Sequence, residues 1–373
     1  MDTLFNWHKN HHEKQLFGRY IHSDSIADLL ENLPSKFEIK QLGFSVEKRP
    51  IYSVTIGTGK TKILLWSQMH GNESTTTKAV FDLFKIFQGD ELLPEIQKIL
   101  SSCTLCFVPI LNPDGASAFT RINANKVDLN RDAQLRSQPE STLLWDLYQE
   151  FKPDYCFNLH GQRTIFGFEK TATSSVLSFL APSADESRGV TLSRKRSMDV
   201  IAHIYKELQP YLPEQIGRYD DGFNLNCTGD TFQANGTPTL LFEAGHYPED
   251  YDREETRRYV FMALVAGLHG ICNEVTLKEE VYWSIPEHQK CFCDILFTNT
   301  ASGDIKIQYL EKLTNGKIVF IPQFSENKMT SSRFGHRVID VYGQEIKNIL
   351  TENVIGKVDI SQINLDNGIT ITL

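Results

Sequence analysis

Twice in this chain a short apolar run ends near a histidine followed by glycine. Ile63-Leu64-Leu65-Trp66 leads through Ser67-Gln68-Met69 into His70-Gly71-Asn72-Glu73, and Tyr155-Cys156-Phe157-Asn158-Leu159 leads into His160-Gly161. Apolar runs this short and sharply bounded read as buried strands. After the first, Ala79, Val80, Leu83, Phe84 and Phe87 recur at helical spacing across residues 74–87. A second helix is predicted over 91–100, a strand over 104–110, and a helix over 141–151 that feeds the second His-Gly strand. Strands alternating with helices imply a parallel sheet with crossover helices. The expected fold class is therefore α/β, with a mixed, mainly parallel sheet flanked by helices. In such sheets ligands bind at the C-terminal ends of the strands, where both histidines fall.

The remaining elements extend this plan. A helix is expected over 22–33, followed by strands over 37–42 and 51–56 that are joined by the turn around Val46 to Pro50. Gly57-Thr58-Gly59-Lys60-Thr61 ends like a phosphate loop, but Val54 stands where that motif needs its first glycine, and a strand follows instead of a helix. It reads as a hairpin turn. Leu111 to Gly115 is a dense turn signal. Residues 161–192 form a long irregular stretch of the kind that walls a pocket. A helix over 193–208, a Gly/Asp/Asn-rich region over 217–236, an apolar strand over 237–245 and a long helix over 254–273 complete a catalytic domain of residues 1–274. Residues 275–373 show short alternating runs separated by Asn-Gly, Ser-Gly and Asp-Asn-Gly turns, the pattern of a small C-terminal all-β domain.

Within this plan the polar residues at strand ends have a chemical logic. His70 and Glu73 can converge on one point, and an imidazole with a carboxylate makes two of the three protein ligands of a catalytic zinc in the two-His, one-Glu arrangement. His160 is the candidate third ligand. Glu243 emerges from an apolar strand, where an unpaired charge is costly; a base beside a metal-activated water explains it. Arg121 and the run Val127-Asp128-Leu129-Asn130-Arg131-Asp132 suggest an anion site, since a guanidinium fork matches a carboxylate. Two arginines near a metal divide two tasks, one holding a substrate carboxylate and one stabilising a developing oxyanion.

Composition narrows the partners. The formal net charge of −9 argues against nucleic-acid binding, which needs a dense basic surface. The basic cluster Arg194-Lys195-Arg196 reads as a solvated face of a helix. The N-terminus is polar and His-rich, with no signal-peptide pattern, and no run of apolar residues long enough to span a membrane is present. His8, His11 and His12 read as a surface cluster on a short helix. Seven cysteines lack disulfide-like spacing; Cys103-x-x-Cys106 and Cys291-x-Cys293 lie in strand-like runs and are expected to be buried free thiols in a reducing, cytoplasmic setting.

With His70, Glu73, Asn112-Pro113-Asp114-Gly115, Arg121, Asn130-Arg131, His160 and Glu243 in that order, the chain resembles the zinc metallocarboxypeptidases, the family of carboxypeptidase A, over roughly residues 20–273. The resemblance implies Zn2+ held by His70, Glu73 and His160, with Glu243 as general base and acid and Arg121 polarising the scissile carbonyl. It also implies that Asn130 and Arg131 grip the terminal carboxylate of a peptide, and that Asp128 fixes the tautomer of His70. The capping tyrosine of the family has its nearest counterpart in Tyr219, in surroundings that do not match, so its role stays open. The floor of the specificity pocket falls near Thr228 to Asp230, and Asp230 fits a basic-residue preference or a structural role equally.

Two alternatives stand beside a peptidase. N-acyl amino acid deacylases resembling aspartoacylase or succinylglutamate desuccinylase share His-Gly-Asn-Glu and Asp-Leu-Asn-Arg, and their acylated substrates also carry a free carboxylate. Asn-Pro-Asp-Gly and the wide spacing from His70 to Asn130 favour the peptidase. A non-catalytic carboxylate-binding module is the other alternative; retention of all three ligands with Glu243 and Arg121 argues against it. A serine hydrolase is unsupported, since no Gly-x-Ser-x-Gly elbow occurs.

Overall fold

The apolar runs of the sequence become the centre of an eight-stranded sheet. The structure, a computed structural model, describes residues 1–89, 93–301, 303–324, 333–354, 357–365 and 370–372. It divides into two compact units, Met1–Gln162 with Val176–Glu287, and Arg163–Ser175 with His288–Leu373.

In chain order the first unit begins with α1 (Asp2–His11), α2 (Ser23–Glu31), β1 (Glu38–Phe44), β2 (Pro50–Ile56) and β3 (Thr61–Trp66). It continues with α3 (Thr75–Gln88), α4 (Pro94–Ser102), β4 (Cys103–Val108), α5 (Pro113–Ala118), α6 (Pro139–Phe151) and β5 (Tyr155–Gly161). The chain then contributes β6 (Phe166–Phe168) and β7 (Thr173–Ser174) to the second unit. It returns with β8 (Leu177–Leu180), α7 (Leu192–Leu208), β9 (Ile216–Arg218), α8 (Thr228–Ala234), β10 (Thr239–Ala244), α9 (Glu254–Cys272) and α10 (Glu279–Trp283).

The sheet order is β1-β2-β4-β3-β5-β10-β8-β9. β4, β3, β5 and β10 are mutually parallel; β1 runs against β2, β2 against β4 and β8 against β10, while β9 lies parallel to β8. This is the expected mixed, mainly parallel sheet. Both faces are covered, which is why Ile63 to Trp66 are all buried. Val80, Phe84 and Phe87 of α3 pack on one face with α7 and the almost wholly buried α9. Leu144 and Leu147 of α6 pack on the other with Trp66 and Phe232.

Several local expectations are corrected. Gly57 to Thr61 is not a hairpin turn, because β4 lies between β2 and β3. The segment wraps over the start of β4, with Thr58 N–H donating to Leu100 O and Gly59 N–H to Cys103 O. Gly59 is needed there, since a Cβ would fall 1.7 Å from the carbonyl carbon of Ser102. The turn expected over Leu111 to Gly115 opens α5: Asn112 caps it by accepting the Gly115 N–H, and Pro113 takes the first turn. Residues 161–192 are not irregular throughout but contain β6, β7 and β8, and residues 217–236 contain α8.

Two surface readings are also corrected. His8 is buried, its Nε2 2.9 Å from Asp82 of α3, because that buried carboxylate gathers partners from two other helices and from the Glu13 N–H. Arg257 of α9 grips the same carboxylate through Nε and Nη2, both at 2.7 Å. Arg194 is fully buried instead of solvated, satisfied by Asp221 and the Ala181 carbonyl. The seven cysteines are free thiols; Cys103, Cys106, Cys291 and Cys293 are buried as expected, and Cys103 Sγ lies 3.3 Å from Cys272 Sγ. Among the described residues no helix is long and apolar enough to cross a membrane.

The second unit adds β11 (Gln289–Lys290), β12 (Phe292–Thr298), β13 (Ile305–Thr314), β14 (Lys317–Phe324), β15 (Phe334–Asp340), β16 (Ile346–Val354), β17 (Lys357–Leu365) and β18 (Thr370–Thr372). β11, β6 and β7 form a small sheet, β14-β13-β12-β15 a second, and β16-β17-β18 a third. Asn315 and Gly316, with φ of 50° and 73°, make the tight hairpin between β13 and β14 that their dipeptide favours. The Ser-Gly and Asp-Asn-Gly turns include residues outside those described. Ile295, Phe297, Ile307 and Val341 form its core.

Candidate metal centre

Three parallel strands deliver the site. β3 runs into the loop that carries His70 and Glu73, β5 ends in His160, and β10 ends in Glu243, which stands in register opposite His160. The loop after β3 is braced by buried polar groups. Gln68, with a positive φ of 44°, donates through Nε2 to Ile21 O and Gly71 O and accepts from Thr77 Oγ1. Asn112 holds the same loop through Met69 O, at 3.2 Å. Gly71 and Gly115 touch backbone to backbone: a Cβ on Gly71 would fall 1.9 Å from the Gly115 carbonyl carbon. The Asn-Pro-Asp-Gly helix is thus a buttress for the His-Gly-Asn-Glu loop.

His70 Nδ1 lies 2.9 Å from Glu73 Oε1, and His160 Nδ1 lies 3.0 Å from both Glu73 Oε2 and His70 Nδ1. Candidate ligand atoms of the three residues fall within 4.8 Å of one another. His70 Nε2 is 3.0 Å from Asp128 Oδ1, so that nitrogen carries the proton and Nδ1 presents its lone pair to the centre. Two imidazoles and a carboxylate converging this closely suit a cation, and the donor set is one that zinc takes.

The electrostatics agree. Burial opposes protonation of His70, but the Glu73 charge and the Asp128 hydrogen bond outweigh it and raise the imidazole above its ordinary value. Burial lowers His160. Glu73 and Asp128 are driven well below the usual carboxylate range despite burial, Glu73 by both histidines and Asp128 by His70 and Arg121. Glu243 goes the other way: burial first, then the Glu73 charge, push it well above a normal carboxyl. Its Oε2 is buried with no hydrogen-bond partner.

Arg121 reaches this cluster, donating from Nε to Asp128 Oδ2 at 3.0 Å and from Nη1 to Glu73 Oε1 at 3.4 Å. Its side chain is 46% exposed, which leaves donors for a ligand. Asn130 and Arg131 sit on the short turn that Asp128 caps. Asn130 Oδ1 accepts the Thr228 N–H at 3.0 Å, and Arg131 Nη1 donates to Asn130 O and Cys227 Sγ. Asn130 is linked to the centre through Asp128, whose Oδ1 accepts the Asn130 N–H at 2.9 Å as well as meeting His70 Nε2.

Comparison with known proteins follows from this geometry. Residues 23–137 match the family model described as zinc carboxypeptidase. A carboxypeptidase E of Caenorhabditis elegans is 26% identical over 147 residues, 34% of this chain; the match spans 30% of the length of that relative. A metallo-carboxypeptidase from Burkholderia cenocepacia superposes with a TM-score of 0.56 at 19% identity, covering 68% of this chain and 69% of its own. This chain has the zinc carboxypeptidase fold. A metallo-carboxypeptidase from Pseudomonas aeruginosa, solved with (2-guanidinoethylmercapto)succinic acid, agrees, with a TM-score of 0.52 at 19% identity and coverage of 67% and 69%.

The zinc carboxypeptidase resemblance drawn from motif order is thereby supported, and His70, Glu73 and His160 are the candidate zinc ligands of this chain. Tyr219, whose role the sequence left open, lies close enough to Glu243 and Glu73 that their charges, after burial, raise its phenol. Asp230 sits in the first turn of α8, accepts the Asn224 N–H at 3.2 Å and is pushed by burial up to about 6. Gln68 is the bracing residue that sequence reading passed over; its signal was a single amide between an apolar strand and His70.

Proposed function

We propose that this protein is a zinc-dependent hydrolase that releases the C-terminal amino acid of a peptide. The observation that carries the reading is the convergence of His70, Glu73 and His160 beside Glu243, whose Oε2 is buried without a hydrogen-bond partner. A zinc ion held by these three residues would supply Lewis acidity and a water acidified to a pKa of about 7. Glu243, kept poorly solvated, would serve as the group that accepts a proton from the attacking water and returns it to the leaving amine. Arg121 places guanidinium donors where the carbonyl oxygen gains charge. Asn130 and Arg131 hold the substrate carboxylate, a task for which a planar fork is suited. Asp128 keeps His70 in the tautomer that turns Nδ1 inward. Burial and then the Glu73 charge raise the Glu243 carboxyl, and a cation bound by the three ligands would offset the Glu73 part. A reducing, cytoplasmic setting suits the free thiols.

The test is a substrate panel: peptides with free C-termini, the same peptides amidated, and N-acetyl or N-succinyl amino acids. Release of C-terminal residues from the free peptides alone supports the proposal. Turnover confined to the acylated amino acids assigns the protein to the deacylases instead.

A further inference from the structure

Arg253 opens α9 in a conformation that an arginine rarely takes. Its φ of 62° and ψ of 31° lie in the left-handed region, which is sparsely used outside glycine, asparagine and aspartate. The residue is only 2% exposed. A strained backbone and a buried guanidinium persist together only where the surroundings hold them. Here they do. Arg253 N–H donates to Asp250 O at 3.1 Å, and the Asp250 carboxylate accepts the N–H groups of Glu254 and Thr256, both at 2.8 Å. Lys78 Nζ of α3 donates to Asp252 O at 3.0 Å.

The guanidinium faces the ends of two strands. Nη1 donates to Ala244 O and Nη2 to Gln162 O, each at 3.1 Å. Ala244 directly follows Glu243. Gln162 lies two residues beyond His160, and Gly161 between them donates its N–H to Glu73 Oε2 at 2.9 Å. The register that sets Glu243 opposite His160 sets Ala244 opposite Gly161; past that pair, Gln162 N–H donates to Ala244 O at 2.9 Å. Both residues are buried, so their carbonyls need donors inside the protein. Arg253 continues the ladder with one side chain. A planar fork can span two carbonyls, whereas a lysine ammonium meets them as a point charge. The charges that shift Glu243 belong to Glu73 and Arg121, so Arg253 works on it through the backbone.

We propose that Arg253 is a positioning residue of the hydrolase. By tying the backbone behind Glu243 to the backbone behind His160, it fixes the proton-transfer carboxyl relative to the metal ligands. Glu73 is held by the same clamp, through the Gly161 N–H. The assignment rests on the hydrolase reading of the centre. Catalytic groups tolerate little misplacement, since an error of about 1 Å is worth about 10²-fold in rate. A single tie between the strands of the base and of a ligand is where such an error would begin.

Two variants test it. Arg253→Met removes the donors at nearly constant length, and Arg253→Lys retains the charge without the fork. Each is loaded with zinc and, in parallel, with cobalt(II), whose visible absorption follows the arrangement of its ligands. Ile99→Ala, which opens a cavity in buried α4 packing before β4 begins, at the opposite end of the strands, controls for lost stability as read by melting. Arg253→Met should lower kcat about 10- to 100-fold with KM little changed, and should shift the cobalt bands. Arg253→Lys should fall between it and the unaltered protein, and Ile99→Ala should change neither kcat nor the bands. Should Arg253→Met fail to fold, Arg253→Lys decides alone by the same two readouts. Unaltered bands and kcat in the folded variants overturn the assignment, as do equal losses in Ile99→Ala at equal loss of stability. Shifted bands in a protein that hydrolyses no peptide even unaltered sink the hydrolase reading and keep Arg253 as the clamp of the metal site.

Discussion

His70 and His160, ninety residues apart in the chain, face each other through Nδ1 atoms 3.0 Å apart, with Glu73 Oε1 2.9 Å from the first and Glu73 Oε2 3.0 Å from the second. Asp128 already takes the outer nitrogen of His70, so the inner lone pairs lack enough protons to satisfy one another. This arrangement makes specific demands on metal binding. Replacing His70, Glu73 or His160 by alanine should abolish stoichiometric zinc retention after dialysis against a weak chelator. Asp128→Asn should keep the metal but weaken it about 10- to 100-fold, the usual effect of removing a partner behind a histidine ligand. Unchanged zinc affinity in Asp128→Asn would show that the outer hydrogen bond does not set the ligand.

Gly71 binds nothing, yet it should matter as much as Asp128. Its backbone meets Gly115 so closely that alanine has no room, with a Cβ 1.9 Å from a carbonyl carbon. Gly71→Ala should displace the loop, lower stability by about 1–3 kcal/mol, and weaken zinc binding. Melting curves taken with and without zinc separate the two effects. Full zinc affinity in a destabilised variant would break the proposed link between α5 and the ligands.

Arg121 and Arg131 should fail in different ways. Arg121→Ala should lower kcat about 10²- to 10³-fold with zinc retained, as loss of an oxyanion donor does. Arg131→Ala should act mainly on KM and narrow the distinction between free and amidated peptides. Steady-state kinetics on matched acid and amide substrates reads both. Equal losses on acid and amide for Arg131→Ala would remove it from carboxylate binding.

Asp82 ties stability to pH. Burial alone would raise its carboxyl, but the His8 hydrogen bond and the Arg257 charge hold it down at about 2 against an ordinary 3.8. A carboxyl depressed in the fold stabilises fully above its unfolded pKa and loses that stabilisation as pH falls toward the folded one. The difference is worth about 2 kcal/mol, lost between about pH 4 and 2. Asp82→Asn should cost about 3–5 kcal/mol at neutral pH by leaving Arg257 uncompensated, and should flatten that acid limb. Urea titrations of the metal-free protein over this range measure both, and parallel curves for the two proteins would contradict the assignment.

The particular residues show what a sequence exposes. The central strands and α3 were legible because Ile63 to Trp66 and Ala79 to Phe87 carry their periods locally. The path at Gly57 was not, since a glycine-rich turn looks alike whether the next strand pairs with the last or crosses over it. His8 and Arg194 read as surface because their partners, Asp82 and Asp221, are distant in sequence. The candidate ligand set, His70, Glu73 and His160, was legible from motif order.

The proposal turns on proton transfer by Glu243 at a zinc centre held by His70, Glu73 and His160. The direct measurement is peptide hydrolysis by zinc-saturated Glu243→Gln beside the unaltered protein, with metal content determined on the same samples. One zinc per chain is expected in both, with a loss in kcat of at least about 10³-fold in the variant, in the upper reach of general-base effects. Comparable turnover at equal zinc content would contradict it.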